Sequence, residues 1–233
     1  MTPILSARGV VLTQGRAPFS LDIAQGLTIL EGPSGVGKTR LMEMLAAVRD
    51  PDPGTVYWHG HPLAGTVLDR YRRCRGWAPS VRWEARMLRV EDAFRLSAAL
   101  WQIADPHVRI LRELRRWDLV PGRRRRIGHL SAGEEHRVRL GVSLLANPTL
   151  WLLDQPFDDL DLRSRVTLET LVLNMMTNGA EWPGVEAVVM AGATPKDWPG
   201  VGIETHLGPL PVTTVGRGGV LNAGELRDAE SIF

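Results

Sequence analysis

Lysine is nearly missing from this chain of 233 residues. It occurs at Lys38 and Lys196, and every other one of the 28 basic side chains is an arginine. A protein that builds its basic surface from arginine keeps lysine where a compact point charge is wanted, which directs attention to Lys38. Cysteine is rarer still. Cys74 stands alone, which excludes an internal disulfide framework and fits a reducing compartment. No apolar run approaches the roughly 18 residues of a membrane-spanning helix. Residues 1–8 lack the charged-then-apolar order of a secretory leader, so a cytoplasmic location is expected. Charge is not extreme either: the net value is +2, and the pI of 9.1 reflects an excess of arginine, not a polycationic tail. The one basic run, Arg123-Arg124-Arg125-Arg126, reads as a solvated loop ahead of a contact with anionic lipid or an acidic partner, and nucleic acid is not an expected partner. Repeats and low-complexity tracts are absent. His59 and His61 have the i, i+2 spacing of a metal pair but no cysteine or third histidine beside them.

What is present starts with one stretch. Residues 27–31 are apolar or β-favouring and read as a buried parallel strand. Next comes Gly32-Pro33-Ser34-Gly35-Val36-Gly37-Lys38-Thr39, which fits Gly-x-x-x-x-Gly-Lys-Ser/Thr, a phosphate-binding loop. From Arg40 to Val48 the spacing is helical. Strand, glycine-rich loop and helix follow in the order that aims backbone N–H groups and a helix N-terminus at phosphates. Lys38 is placed to reach the β- and γ-phosphates of a nucleotide, and the Thr39 hydroxyl to ligate Mg²⁺. ATP and Mg²⁺ are the expected cofactors, with residues 32–40 as their cradle.

The rest of the chain supplies elements around that loop. Residues 4–12 and 19–24 read as strands, 50–54 as a turn, 55–58 as a short strand and 74–79 as another. Helices are expected from Val90 and from Pro106 toward Trp117. Ser131, with Glu134 three residues on, forms a capping box for a helix reaching Leu145. Residues 149–153 are a continuous apolar run, the mark of a central parallel strand, and it ends in Asp154. A carboxylate at a strand's C-terminal tip lies where open α/β sheets bind ligands, and Asp154 is placed to hold Mg²⁺ beside Thr39. A helix over 162–176 and a strand over 187–191 follow. With 44% hydrophobic residues, the chain can bury one substantial core and a smaller lobe.

Leu130-Ser131-Ala132-Gly133-Glu134, read with residues 32–39, Asp154 and Leu160-Asp161, brings these motifs into the order and spacing of a known family. The chain resembles the nucleotide-binding subunits of ABC transporters over nearly its whole length. Its finer likeness is to the haem-exporter ATPase of cytochrome c maturation, carried by Gly54-Thr55-Val56-Tyr57-Trp58 and the segments around Asp154. The resemblance implies an α/β P-loop NTPase fold. Its parts are a RecA-like parallel sheet, an antiparallel β-subdomain at the N-terminal edge and an inserted helical subdomain over about 84–145, together one domain over 1–233. It also implies a head-to-tail dimer, with a second copy or a different cassette, in which Ser131, Ala132, Gly133 and Glu134 serve the partner's nucleotide. Asp161 would support that contact. A polytopic membrane permease is the further partner, docking in a groove by Trp77 and Trp83. The protein is thereby expected on the inner face of the cell membrane, and membrane transport is the expected function. An ATP-dependent switch or assembly factor without a transporter is the alternative. A small-molecule kinase would leave residues 130–138 without a purpose.

Four positions depart from the family pattern. Gln155 stands where a glutamate normally polarises the attacking water; an amide orients water but takes no proton at pH 7. Ser80 stands at the glutamine of the Q-loop, Ala193 or Thr194 at the switch histidine, and no aromatic side chain near residues 13–15 offers to stack on adenine. Phe19 is the nearest candidate, with a core position the readier role. A glutamate-to-glutamine trap substitution would account for Gln155 but for neither Ser80 nor the absent histidine. Together the departures imply a site that binds ATP and turns it over slowly or only with a partner's help.

Overall fold

The computed structural model describes residues 2–15, 17–177, 182, 184–192, 204–207 and 210–215, the last two segments as backbone alone. Ten strands and six α-helices alternate along these residues. Strands β1 (Leu5–Val10), β2 (Phe19–Ile23), β4 (Thr55–Trp58) and β5 (His61–Pro62) form an antiparallel sheet in the order β2-β1-β4-β5. The second sheet runs β6-β7-β8-β3-β10-β9. Its β6 (Arg75–Ala78), β7 (Leu150–Asp154), β8 (Ala187–Ala191) and β3 (Gly26–Leu30) are mutually parallel. The last two strands, β10 (Leu210–Val215) and β9 (Glu204–Leu207), extend it antiparallel.

Burial explains the division. All five residues of β3, β7 and β8 are buried, as parallel strands covered on both faces must be. Alternate residues of β2 are exposed, which suits a sheet covered on one face. Helix α1 (Lys38–Leu45) packs between the two sheets and buries Leu41, Met42, Met44 and Leu45. On the opposite face α5 (Ala132–Leu144) and α6 (Leu162–Met176) cover the parallel sheet, and α3 (Val90–Leu100) and α4 (Pro106–Arg116) join α5 in a helical lobe. Buried Glu113 anchors α4. Its carboxylate holds Arg112 at 2.9 Å and Arg116 at 2.6 Å, and both guanidiniums lie over Trp182. Burial pushes the Glu113 pKa up in spite of the two arginines.

Helix α2 (Gly65–Cys74) is absent from the sequence expectations. Tyr71 is its one buried residue, so the 3.6-residue apolar stripe that betrays a helix is missing. Helix α1 begins at Lys38, two residues before the expected start, because the phosphate loop's last residues already belong to its first turn. Phe19 is in the core, the readier of its two expected roles, and is not placed to stack on adenine. His59 pairs with Glu186 at 3.1 Å, and no cluster of three or more metal-ligating side chains occurs among the described residues. Nor does any described helix have the length and apolarity to cross a membrane. Ala193 and Thr194 lie outside the described residues, as does the side chain of His206.

Candidate nucleotide site

The parallel register sets the site. Strands β3, β7 and β8 point their C-terminal ends the same way, so the loop after Leu30, Asp154 and Ala191 arrive together at one edge. Gly32, Gly35 and Gly37 have φ of 145°, 81° and 106°, a region L side chains rarely adopt. Gly37 has a second constraint, since a Cβ there would meet the Leu12 Cβ at 2.8 Å. The Lys38 ammonium donates to the Gly32 and Pro33 carbonyls at 2.5 and 3.0 Å, which keeps it at the rim of the loop.

An open cleft of about 420 Å³ faces this loop. Ser34, Gly35, Gly37, Lys38, Thr39, Arg40 and Gln155 line it; Gly32, Pro33 and Val36, also expected in the cradle, do not. Leu12, Thr13, Glu43 and Arg49 line it as well, and sequence reasoning missed all four. Only proximity to the expected adenine position pointed to Leu12 and Thr13; Glu43 and Arg49, an ion pair at 2.6 Å, gave no sequence signal. An aliphatic and a hydroxyl side chain thus stand where the ring was sought.

Asp154 is 1% exposed. Its Oδ2 accepts a 2.6 Å hydrogen bond from the Ser80 hydroxyl, the Ser80 N–H and the Thr39 hydroxyl also pull on the carboxylate, and Oδ1 is buried with no hydrogen bond of good geometry. Burial raises its pKa, against the opposing pull of the Ser80 and Thr39 hydroxyls, and the nearby Glu43 charge adds to the rise. A buried carboxylate oxygen with no well-aligned donor, beside a threonine hydroxyl, fits a hard divalent cation. Gln155 follows in a left-handed conformation at φ 51°, its N–H on the Ala191 carbonyl at 2.7 Å.

Ser131, Ala132, Gly133 and Glu134 lie outside this cleft, at the start of α5. The capping box forms in full: the Glu134 N–H donates to the Ser131 hydroxyl, and the Ser131 N–H to the Glu134 carboxylate. Arg125 adds an ion pair at 2.6 Å. Partial burial pushes the Glu134 pKa up, but Ser131 and Arg125 outweigh it and leave the carboxyl below its usual value. The negative charge is therefore folded back and paired. Gly133 lies against the loop after β7, where a Cβ would meet the Asp159 carbonyl at 2.5 Å. Asp161 caps α6 through the Ser164 N–H at 2.8 Å and approaches Arg137 at 3.6 Å.

The family described as ABC transporter matches residues 17–158, a span containing the phosphate loop, residues 131–134 and Asp154. The chain belongs to the ABC transporter ATP-binding domains. It is 30% identical over 194 residues to the Fe(3+) ions import ATP-binding protein FbpC 2 of Rhodococcus jostii (strain RHA1), covering 77% of this chain and 54% of that protein. It is 32% identical over 152 residues to the cytochrome c biogenesis ATP-binding export protein CcmA 1 of Salmonella paratyphi A (strain ATCC 9150 / SARB42), covering 61% and 66%. The chain spans about half the length of the iron-import relatives it matches. In fold it is similar to the ATP-binding cassette MJ0796, solved as a dimer in a post-hydrolysis state with ADP and Pi. The TM-score is 0.66 at 20% identity, covering 82% of this chain and 88% of that one. An ATP-binding subunit of an ABC transporter gives a TM-score of 0.68 at 20% identity, over 81% and 79%.

Proposed function

We propose that this ABC domain is the ATP-binding subunit of a membrane transporter, whose ATP-driven dimerisation powers or gates a polytopic permease from the inner face of the membrane. The observation that carries the reading is the meeting of Lys38, Thr39 and the buried Asp154 carboxylate at one edge of the parallel sheet. In this reading residues 32–40 hold the phosphates, Thr39 and Asp154 hold Mg²⁺, and Ser131 and Gly133 act on the nucleotide of a second domain. Bound Mg²⁺ and ATP supply a polarised phosphoanhydride; the chain supplies position and charge. Gln155 orients water without accepting its proton, so this chain's own site hydrolyses slowly. A partner cassette carrying glutamate would hydrolyse its ATP against Ser131–Glu134 of this chain, which makes a heterodimer productive where a homodimer has two impaired sites.

Val81 and Met87, 59% and 72% exposed and close to Trp83 in sequence, support a permease contact there. The likeness to cytochrome c biogenesis export proteins supports export, of which haem export is the finer proposal, and the likeness to Fe(3+) ions import proteins supports import.

Affinity purification from native membranes tests the transport reading. Recovery with a polytopic membrane protein is expected. Recovery without one contradicts it and favours a soluble ATP-dependent switch.

A further inference from the structure

Ser80 and Asp154 are 74 positions apart in sequence, yet the sheet brings them together. Strand β6 pairs parallel with β7, with Ala78 opposite Leu153. Pro79 follows, and with no N–H to give it ends the ladder. The chain turns at that point, and the one-carbon stem of Ser80 puts its hydroxyl 2.6 Å from Asp154 Oδ2. Three residues further, the Trp83 N–H donates to Glu135 Oε1 at 2.8 Å. Glu135 lies in the first turn of α5 and is itself paired with Arg139 at 3.3 Å; the two side chains are 6% and 3% exposed. The short loop over 79–83 is therefore fastened at one end to the candidate metal carboxylate and at the other to the helix that begins at Ala132.

We propose that Ser80 is a positioning residue of the metal site, holding Asp154 Oδ2 so that Oδ1 faces the cation, and that Glu135 holds Ser80 in place by gripping the Trp83 amide. This rests on the ATP-binding reading above. A carboxylate with both oxygens free rotates about its terminal torsion; one oxygen tied to a hydroxyl fixes the other. Partners of this kind, one bond removed from a metal, typically change metal affinity by about 10–100-fold when lost. Serine at this position is on this view a replacement for a longer side chain, acting through the carboxylate.

Mg²⁺ titration of ATP binding to the full chain, by calorimetry, separates the possibilities. Ser80→Ala is expected to move the Mg²⁺ midpoint upward by about 10-fold or more, leaving the affinity for ATP in EDTA unchanged. Ser80→Thr keeps the hydroxyl and is expected to restore the midpoint. Glu135→Ala would strand the buried Arg139, so the matched pair Glu135→Met with Arg139→Met removes the grip on Trp83 without leaving a lone charge. This pair is expected to move the midpoint the same way by a smaller factor. A wild-type midpoint in Ser80→Ala overturns the role of Ser80, and a wild-type midpoint in the Met pair overturns that of Glu135. Failure of the wild-type chain to bind ATP at all overturns the reading beneath both.

Discussion

Gln155 and Lys38 make separable demands on the site. Lys38→Ala removes the one ammonium from the phosphate loop, and a hydrogen bond to a charged group contributes about 1.5–3 kcal/mol, so ATP affinity is expected to fall by about 10-fold or more. Equilibrium binding of a fluorescent ATP analogue checks this, and an unchanged affinity would remove Lys38 from the site. Gln155→Glu is expected to raise hydrolysis by about 10²–10⁴-fold, the usual contribution of a positioned base, while leaving affinity within a few-fold. The phosphate loop was legible in sequence because its chemistry is local: eight consecutive residues carry the geometry. The capping box at Ser131 was legible for the same reason. The Ser80–Asp154 bond was not, because it depends on which strand neighbours which, and no local pattern in residues 75–80 names β7 as the partner.

Elements were legible where burial imposes a period. Strands β3, β7 and β8 announce themselves as unbroken apolar runs, and α5 by its capping box. Helix α2 does not, since one buried tyrosine gives no period. Packing between elements was also hidden. Gly141 of α5 lies against the rings of Phe94 and Trp117, and a Cβ there would come within 2.9 Å of both. Alanine favours a helix over glycine by about 1 kcal/mol, but overpacking a core costs about 1–3 kcal/mol. Both rings are buried, at 0% and 1% exposure, so they have little room to yield. Gly141→Ala is therefore expected to destabilise the fold by about 1 kcal/mol in urea denaturation, with ATP affinity unchanged because the residue is remote from the cleft. A gain in stability would show that α3 and α4 shift to make room.

For the molecule as a whole, His136 is expected to make stability fall in acid. It is 2% exposed in α5, and its ring donates to the Asp158 carbonyl in the loop after β7. Burial, with the Arg139 charge next, pushes its pKa down to about 4, against about 6.5 in an unfolded chain. Between those values the unfolded state binds the extra proton and the folded state does not. Stability is therefore full above about pH 6.5 and falls as the pH drops toward 4, by on the order of 3 kcal/mol for this one group. Chemical denaturation at pH 7 and pH 5 checks the slope. His136→Gln, which keeps a donor and does not titrate, is expected to flatten it; an unaltered slope would assign the acid sensitivity elsewhere. The same helix begins at Ser131 and Gly133, which the proposed function assigns to a second domain's nucleotide.

The proposed function carries one composite prediction: a cradle that binds ATP, with an amide, Gln155, where a glutamate base is expected. Single-turnover hydrolysis of ATP with Mg²⁺ by the purified chain, in excess over nucleotide and without any partner, tests this most directly. Typical enzymes turn over about 10 times per second, and loss of a positioned base slows that by about 10²–10⁴-fold. Tight binding with a rate of about 0.1 per second or less is expected. Turnover of several per second by the chain alone would contradict it.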